Sequence, residues 1–298
     1  MYKVAVLMTC FNRKDKTLKC LEALAESVCN CKYNLDFALY LTDDGSTDGT
    51  ADAIAKTRYP FSVNILLGNG NLYWNGGMIV AWNAALKHGG YDGYLWLNND
   101  TYLLTNIWNE IVEADIYSYK KYGKQGIYIG STKDPQTGGF TYGGFNFVNK
   151  LTLKDQFIYP DGNFHTCQCA HGNATYVSHS VVKKMGMFCD QYIHGGGDHD
   201  YTYLAYKAGF PLIVLKNYVG LCENDHINGD NTNNNGFNSP KLKDRLKYLY
   251  SPLGYNLHNS LLFQKRCFPY RYPFVLLSGY LKALFPKQSF KIYEIIRK

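Results

Sequence analysis

The segment YLWLNNDT, residues 94–101, ends a run of large apolar residues in two amides and a carboxylate. A strand that is buried on both faces has such a continuous apolar run, and its polar end lies at the edge of a sheet. Asn and Asp are also turn formers, so the triplet Asn98, Asn99 and Asp100 can simply close the strand. If the triplet does chemistry, Asp100 suits Mg²⁺ or Mn²⁺, because these ions use few protein carboxylates and share phosphate oxygens.

A second acidic cluster, TDDGSTDGT at 42–50, places Asp43 and Asp44 at the end of another predicted strand. Carboxylates in that position accept hydrogen bonds from a nucleotide base or ribose, whereas they repel a phosphate. The sequence contains neither G-x-G-x-x-G nor G-x-x-x-x-G-K-[ST], the loops that cradle phosphates. The cluster therefore indicates a nucleotide whose base and ribose contact acids and whose diphosphate needs a cation.

A third cluster, GGGDHD at 195–200, opens a helix predicted from about Asp198 to Gly209. A glycine turn in which Asp198 or Asp200 caps a helix is a common arrangement that needs no chemistry. A carboxylate at a helix start near Asp100 is also what a group transfer requires, since it can deprotonate an attacking hydroxyl group.

The elements that would position these clusters alternate between strands and helices. Strands are predicted at 3–9, 35–42, 61–67 and 93–97, and helices at 16–27, 48–57 and 76–88. This alternation predicts a parallel sheet with a ligand crevice at the carboxyl ends of its strands. A polar cluster follows each strand: TCFNR, TDDGSTDGT, GNGNLYWNGG and NNDT. After about residue 125 the pattern is mixed, with short strands, helices at 179–185 and 198–209, and an Asn-rich loop at 220–239.

The composition is that of a globular protein: 298 residues, 46% of them hydrophobic, can form one large α/β domain. The first apolar run is too short for a signal peptide, and no stretch reaches the ~18 apolar residues of a membrane span. The odd number of cysteines, nine, indicates reduced thiols in the cytosol. The C-x-C pairs at 29–31 and 167–169 lack the spacing of structural zinc sites.

Positive charge is concentrated after residue 240, where twelve Lys and Arg stand against Asp244 and Glu294. The same tail contains twelve Phe and Tyr. Basic clusters interleaved with aromatic residues suit an anionic membrane surface or a nucleic acid. A solvated helical face that packs its other side on protein remains the alternative. Pro269 and Pro273 are expected to divide the tail into separate helices.

The chain resembles the family-2 glycosyltransferases of the GT-A fold over roughly residues 3–226. The resemblance is carried, in the family's order and approximate spacing, by VLMTCFNR, LTDDGSTDGT, LWLNNDT, HGNATYVSHSVVKKMGMF and GGGDHDYTYLAYKAGF. The stretch GNGNLYWNGGM is similar to the branch with rhamnosyltransferase-like enzymes of bacterial surface polysaccharide assembly. The resemblance implies an α/β fold with a Rossmann-like, mostly parallel sheet flanked by helices, a mixed second half and a C-terminal helical tail.

By position, the resemblance implies that Asp100 is a metal ligand and that Asp198 is the catalytic base. Asn98 stands where the family commonly has an acid, and Gly197 replaces the Glu that usually precedes the base. A second metal ligand is expected at His226. The expected nucleotide-binding residues are Thr9, Asn12, Arg13, Asp43, Asp44, Asn75, Asn98 and Asn99.

These expectations describe an inverting glycosyltransferase that uses Mg²⁺ or Mn²⁺ and transfers a sugar from a nucleotide-diphosphate sugar to a saccharide or lipid-linked acceptor. We expect a cytoplasmic enzyme of surface polysaccharide biosynthesis, with a nucleotide-binding half at 1–125 and an acceptor-binding half at 126–240. The basic tail, 241–298, would hold it peripherally on the inner face of the membrane, and no nucleic-acid partner is expected. Two alternatives remain: a non-catalytic sugar-nucleotide or glycan-binding protein, and a nucleotidyltransferase, although TCFNRKDK lacks the glycines of a triphosphate loop.

Overall fold

The structure, a computed structural model, describes residues 2–223 and 236–289. It divides the chain into two compact units. The first consists of Met1–Asp190 and Gly197–Asn224, and the second of Gln191–Gly196 and Asp225–Lys298.

The first unit is built on a nine-stranded sheet and a small three-stranded sheet. The large sheet has the order β3-β2-β1-β4-β11-β6-β12-β5, with β9 beside β12, and the small sheet has the order β10-β7-β8. In chain order the strands are β1 Tyr2–Cys10, β2 Leu35–Asp43, β3 Ser62–Leu67, β4 Gly93–Leu97, β5 Tyr102–Leu103, β6 Ile127–Lys133, β7 Gly144–Asn149, β8 Lys154–Phe157, β9 His165–Thr166, β10 Cys169–Ala170, β11 Ala174–Ser178 and β12 Leu212–Leu221.

Strands β1 to β4 are parallel, and β11 lies antiparallel between β4 and β6. The sheet is therefore mostly parallel in its first half and mixed in its second, as expected for the fold class. The helices of this unit are α1 Lys14–Cys29, α2 Thr50–Lys56, α3 Tyr73–His88, α4 Ile107–Tyr122, α5 His179–Met185 and α6 Gly197–Lys207.

The apolar run of β4 is explained by burial on both faces of the sheet. Leu95 and Leu97 belong to a core cluster that also contains Trp108 of α4. Tyr94 and Trp96, which alternate with them, belong to a second cluster around Trp82 of α3. Because successive side chains of a strand point to opposite faces, the two clusters form the two layers of core that hold β4 in the centre of the sheet.

The predicted strands and helices of the first half are confirmed, apart from the start of one helix. Helix α3 begins at Tyr73, not at residue 76, so part of the polar cluster GNGNLYWNGG is helical. Helix α4 and strand β12 were not predicted, and β12 includes Gly220 and Leu221 of the predicted loop. Residues 224–235 of that loop lie outside the described residues.

The second unit contains helices around a small core of its own. Its helices are α7 Leu242–Tyr250, α8 Leu257–Cys267 and α9 Tyr272–Leu284, with 3₁₀ turns at Gly236–Asn238 and Pro269–Arg271. Phe237, Leu249, Leu257 and Ala283 form the buried cluster. The predicted separation into helices is confirmed: Pro269 starts a 3₁₀ turn, and Pro273 lies in the first turn of α9, where its missing N–H group is tolerated. None of the helices in 2–223 or 236–289 has the length and apolar content needed to cross a bilayer.

Candidate functional site

The first two polar clusters contact each other at the carboxyl edge of the sheet. Strands β1 and β2 end in register, with Cys10 opposite Asp43. Beyond them, the backbone N–H of Asn12 donates to the hydroxyl of Ser46 at 2.9 Å, and the N–H of Thr47 donates to Asn12 Oδ1 at 2.8 Å. Asp43 Oδ1 accepts the N–H of Ser46 at 2.8 Å. The two predicted nucleotide-binding segments therefore form one loop pair.

Asp44 fixes the third cluster to this loop pair. The residue is 4% exposed, and its carboxylate accepts three backbone N–H groups, from Gly70 at 2.9 Å, Leu72 at 2.9 Å and Tyr73 at 3.1 Å. A Cβ atom on Gly68 would lie 2.4 Å from Asp44 Oδ1, so the approach requires glycine. Asp44 thus shapes the turn before α3, and its contact with a nucleotide base stays a prediction.

The fourth cluster, NNDT at 98–101, contains one carboxylate, that of Asp100, and it is partly exposed. Asp100 Oδ2 accepts a hydrogen bond from the Arg13 guanidinium at 2.7 Å, and the Asp100 side chain is 16% exposed. Nearby on α1, Lys16 pairs with Glu223 at 3.0 Å, and this hydrogen bond raises the pKa of Lys16. This edge of the sheet therefore carries two ion pairs, and within each pair the cation and the anion neutralise one another.

The two amides of the triplet form hydrogen bonds with different partners. Asn98 Oδ1 accepts the indole N–H of Trp74 at 2.8 Å, and Asn99 donates to the Thr17 hydroxyl at 2.9 Å. No group of three or more His, Cys, Asp or Glu able to hold a metal occurs in 2–223 or 236–289. Mg²⁺ is commonly held by one or two carboxylates together with phosphate oxygens, so Asp100 fits as the protein ligand of a metal that also binds a diphosphate. His226 lies outside the described residues.

Asp198 stands at the start of α6, and both of its carboxylate oxygens are held by the backbone. Oδ2 accepts the N–H of Gly172 at 2.8 Å, and Oδ1 accepts the N–H of His199 at 2.9 Å. A Cβ atom on Gly172 would lie 3.0 Å from the Trp74 ring and 3.3 Å from Asp198 Cβ. Through Trp74 and Gly172, the structure therefore connects Asn98 of the fourth cluster to Asp198 in one continuous site.

Gly197 is explained by the amide of Asn75. Asn75 is fully buried in α3 and donates from Nδ2 to the carbonyl of Cys189 at 3.0 Å. A Cβ atom on Gly197 would lie 2.1 Å from Asn75 Oδ1. The position before Asp198 therefore has no room for the Glu side chain that the family commonly has there.

We expect Gly197→Ala to lower the rate of the predicted sugar transfer by about tenfold or more, because displacing α6 would move Asp198, the predicted base, and small displacements of reacting groups cost up to about 10²-fold. Initial rates and thermal unfolding of the variant would be compared with those of Gly139→Ala, whose added Cβ meets its nearest neighbour at 3.4 Å. Adding Asn75→Ala to Gly197→Ala should recover part of the rate. Wild-type rates for Gly197→Ala alone would contradict this account.

Two further predicted nucleotide-binding residues also face the protein interior. Thr9 donates to the Thr42 carbonyl at 3.2 Å, and a Cβ atom on Gly77 of α3 would lie 2.1 Å from its hydroxyl oxygen. Asn99 is buried against α1, as described above. Their roles as nucleotide ligands stay predictions, and their observed role is to pack α3 and α1 against the strand ends.

Two thiols lie beneath the site. Cys20 donates to the carbonyls of Thr101 at 3.1 Å and Asn98 at 3.4 Å, and burial raises its pKa well above the usual value. Burial, with a smaller contribution from Asp43, raises the pKa of Cys10 to about 12. Both groups are therefore protonated thiols at neutral pH and pack as small apolar residues.

A row of rings, not predicted from the sequence, extends from Asp198 toward the surface. His199 and His171 have ring centroids 5.0 Å apart, and His171 is followed by Phe157 at 5.9 Å. Phe140 then contacts Phe157 at 5.1 Å and the exposed Tyr159 at 5.0 Å. The Gly- and Tyr-rich composition after residue 125 was visible in the sequence, but the order of the rings depends on contacts between residues that lie far apart in the chain.

Trp74 and Gly172 were also missed as site residues. The signal available for Trp74 was an indole within the polar cluster GNGNLYWNGG, and Gly172 carried no signal apart from the segment HGNA. Their importance comes from contacts over long sequence distances, which single-segment patterns do not reveal.

Solved structures of similar fold include the S. aureus TarS fragment 1-349. This structure has 13% sequence identity and a TM-score of 0.52, and the match covers 96% of this chain and 82% of that chain. The complex of TarS 1-349 with UDP-GlcNAc aligns with a TM-score of 0.53 at 12% identity, covering 95% and 80%. The complex with UDP aligns with a TM-score of 0.51 at 14% identity, covering 91% and 71%. No curated protein sequence matches the chain significantly.

At the level of sequence, residues 5–177 match the profile of a family described as Glycosyl transferase family 2. This segment includes the first four polar clusters, Trp74 and Gly172, and it covers more than half of the chain. The protein therefore belongs to glycosyltransferase family 2.

Proposed function

We propose that the protein transfers a sugar, with inversion at the anomeric carbon, from a nucleotide-diphosphate sugar to a saccharide acceptor. The observation that carries this proposal is the contact path from the triplet of Asp100 through Asn98, Trp74 and Gly172 to Asp198. In this proposal Asp100 holds the metal of the donor and Asp198 is the general base for the acceptor, and the contact path supports the proposal because it joins the two residues in one site.

The donor side is assigned to residues 1–125. The loop pair of Asn12 and Asp43, together with the turn held by Asp44, would surround the nucleoside, and Arg13 and Asp100 would lie at the diphosphate. The TarS complexes with UDP and UDP-GlcNAc support a nucleotide sugar as the class of donor. When bound at Asp100, Mg²⁺ or Mn²⁺ would neutralise the negative charge of the departing diphosphate.

The acceptor reaction is assigned to Asp198. Its carboxylate takes the proton of the acceptor hydroxyl while the hydroxyl oxygen forms a bond to the anomeric carbon and the bond from that carbon to the diphosphate oxygen breaks. The backbone N–H groups of Gly172 and His199 hold this carboxylate in place. Because the transfer is a single displacement, it inverts the anomeric carbon, and the products are the glycosylated acceptor and a nucleoside diphosphate.

A saccharide acceptor is supported by the row of rings beside Asp198, because half-buried aromatic rings offer apolar surface to the faces of sugar rings. We assign residues 126–240 to acceptor binding and propose a role in surface polysaccharide assembly, supported by the likeness of GNGNLYWNGGM to rhamnosyltransferase-like enzymes. A cytoplasmic location is supported by the nine cysteines, all of which are free thiols.

The function is tested by a screen of purified protein against UDP-, GDP- and dTDP-sugars with and without Mn²⁺. A cognate donor should raise the stability by about 2.7 kcal/mol at a hundredfold excess over its Kd. Slow release of the nucleoside diphosphate by hydrolysis of that donor would show that the bond to the anomeric carbon is broken. Binding without any release, even with saccharides added, would favour a non-catalytic sugar-nucleotide-binding protein.

We also propose that the tail, residues 241–298, binds an anionic membrane surface that presents a lipid-linked acceptor. Within 236–289, nine Lys and Arg stand against one acid, Asp244. Helix α9 buries Gly279 and Ala283, whereas its other face exposes four apolar residues at helical spacing. These residues are Phe274, Leu277, Leu281 and Leu284, of which the first two are 71% and 59% exposed. Cations beside an exposed apolar stripe are the features of a helix that lies in the membrane interface.

The double variant Phe274→Ser/Leu277→Ser should sediment with anionic liposomes at least about tenfold less than wild type, since each fully buried apolar side chain contributes about 1.5–3 kcal/mol. Leu253→Ser is the matched control, because Leu253 is 72% exposed in the same unit but lies outside α9. Both variants should still bind the donor nucleotide. If full-length wild type does not sediment with anionic liposomes at low salt, this membrane role is excluded. The exposed apolar face of α9 would then be assigned to packing on protein.

A further inference from the structure

We propose that Arg13 is a built-in cation of the donor site, which competes with a divalent metal for Asp100 and contributes its own charge to the donor diphosphate. The inference rests on the proposed function for the identity of the ligand, a nucleotide diphosphate. The role of Arg13 is inferred from its ion pair with Asp100. The inference assigns Arg13 a part beyond simple contact with the nucleotide.

The first observation is the ion pair itself. The guanidinium of Arg13 and the carboxylate of Asp100 are 2.7 Å apart, although the residues are separated by 87 positions. Asp100 is the one acid of the triplet, and Asn98 and Asn99 are engaged elsewhere. Any cation that binds the triplet through its carboxylate must therefore share that carboxylate with Arg13 or displace it.

The second observation is the availability of the guanidinium. The side chain of Arg13 is 49% exposed. Within the described residues, its NH1 nitrogen donates one hydrogen bond, to Asp100. A guanidinium has five N–H donors, arranged in a planar fork that matches phosphate oxygens. Arg13 can thus keep Asp100 with one donor while others meet a phosphate.

The third observation is that the neighbouring cation is already neutralised. Lys16, one turn further along α1, holds Glu223 at 3.0 Å, and this hydrogen bond raises its pKa. Asp48, near the same helix start, accepts the N–H of Lys14 at 2.9 Å and is an anion. Lys16 therefore pairs with an acid outside the triplet, whereas Arg13 pairs with Asp100 itself, so Arg13 is the cation that lies at the predicted metal ligand.

Removing the guanidinium should change two affinities in opposite directions. Without its competitor, Asp100 should bind Mn²⁺ more tightly in the absence of nucleotide. Without its cation, the site should bind a nucleoside diphosphate more weakly when no metal is present. A residue that merely joined two loops would produce neither pattern.

The test compares wild type, Arg13→Gln, Arg13→Lys and the control Arg58→Gln, which changes an exposed Arg of the same unit. Mn²⁺ binding to nucleotide-free protein is followed by electron paramagnetic resonance. Binding of UDP, GDP and dTDP is measured by calorimetry, once with EDTA and once with Mn²⁺. Thermal unfolding confirms that each variant is folded.

For Arg13→Gln, Mn²⁺ should bind about two- to fivefold more tightly, the range expected for loss of a partly exposed ion pair. With EDTA, the nucleoside diphosphate should bind at least about tenfold more weakly, as expected for loss of a charge-assisted hydrogen bond. The loss should be smaller with Mn²⁺. Arg13→Lys should lie between wild type and Arg13→Gln, and Arg58→Gln should match wild type.

Unchanged Mn²⁺ binding by Arg13→Gln, or unchanged nucleotide binding with EDTA, would overturn the role of Arg13 while leaving the proposed function intact. A wild-type protein that binds none of the three nucleotides, with or without Mn²⁺, would overturn the proposed function and this inference with it.

Discussion

Replacing Asp198 with asparagine should reduce the turnover of the enzyme by about 10²-fold or more while the donor nucleotide binds nearly as in wild type. The amide keeps the size of the side chain and one acceptor oxygen, but it cannot take up the proton of the acceptor hydroxyl. General-base help typically contributes about 10²–10⁴-fold to a rate. Initial rates of transfer, with nucleotide affinity measured by calorimetry, separate this chemical effect from a loss of binding.

Two variants control for the position of the base. Asp200→Asn changes the next acid of α6, which is buried, and Asp155→Asn changes an exposed acid of β8. Asp155→Asn should retain wild-type turnover. If Asp200→Asn is inactive and Asp198→Asn is active, the base has been assigned to the wrong acid of the segment GGGDHD.

Asp100→Ala should abolish metal-dependent turnover, with a loss of about 10³-fold or more, because stabilisation of a departing diphosphate by a metal is worth several kcal/mol. Asp100 supplies the one carboxylate of its triplet, so no neighbouring acid of NND can replace it. The measurement is a titration of turnover with Mn²⁺ and with Mg²⁺ for wild type and variant. Undiminished transfer by Asp100→Ala would remove the metal assignment.

Asn98→Ala is the matched comparison within the same triplet. It removes the acceptor of the Trp74 indole N–H, and a neutral hydrogen bond contributes about 1 kcal/mol. We therefore expect a loss of turnover within about tenfold and an unchanged dependence on the metal concentration. A loss as large as that of Asp100→Ala would indicate that Asn98 holds the cation as well.

The sequence was sufficient to locate the edge of the sheet where the site lies. The alternation of strands with helices predicted β1 to β4, and the polar clusters after β1, β2 and β4 meet in the structure as a parallel sheet requires. Asp198 was correctly placed at a helix start. These features could be predicted because they follow from local periodicity and from the rule that parallel strands end at a common edge.

The connections within the site could not be predicted, because each depends on residues far apart in the chain. Arg13 pairs with Asp100, Asp44 binds the turn before α3, and Gly197 fits against Asn75. Side-chain patterns indicate which residues are polar, but they do not indicate which partner a polar atom finds. The same limitation applies to Trp74, which was read only as part of a polar cluster.

The position of β11 limits how the two halves of the first unit can be exchanged between related proteins. This strand, Ala174–Ser178, lies between β4 and β6, so a strand from the second half of the unit pairs with the edge of β4 that the first half alone would leave open. A fragment that ended before residue 174 would leave β4 with an unpaired edge, which invites aggregation. The halves are therefore not exchangeable modules: recombination between related genes should yield folded chimaeras only when the crossover keeps β4, β6 and β11 from one parent.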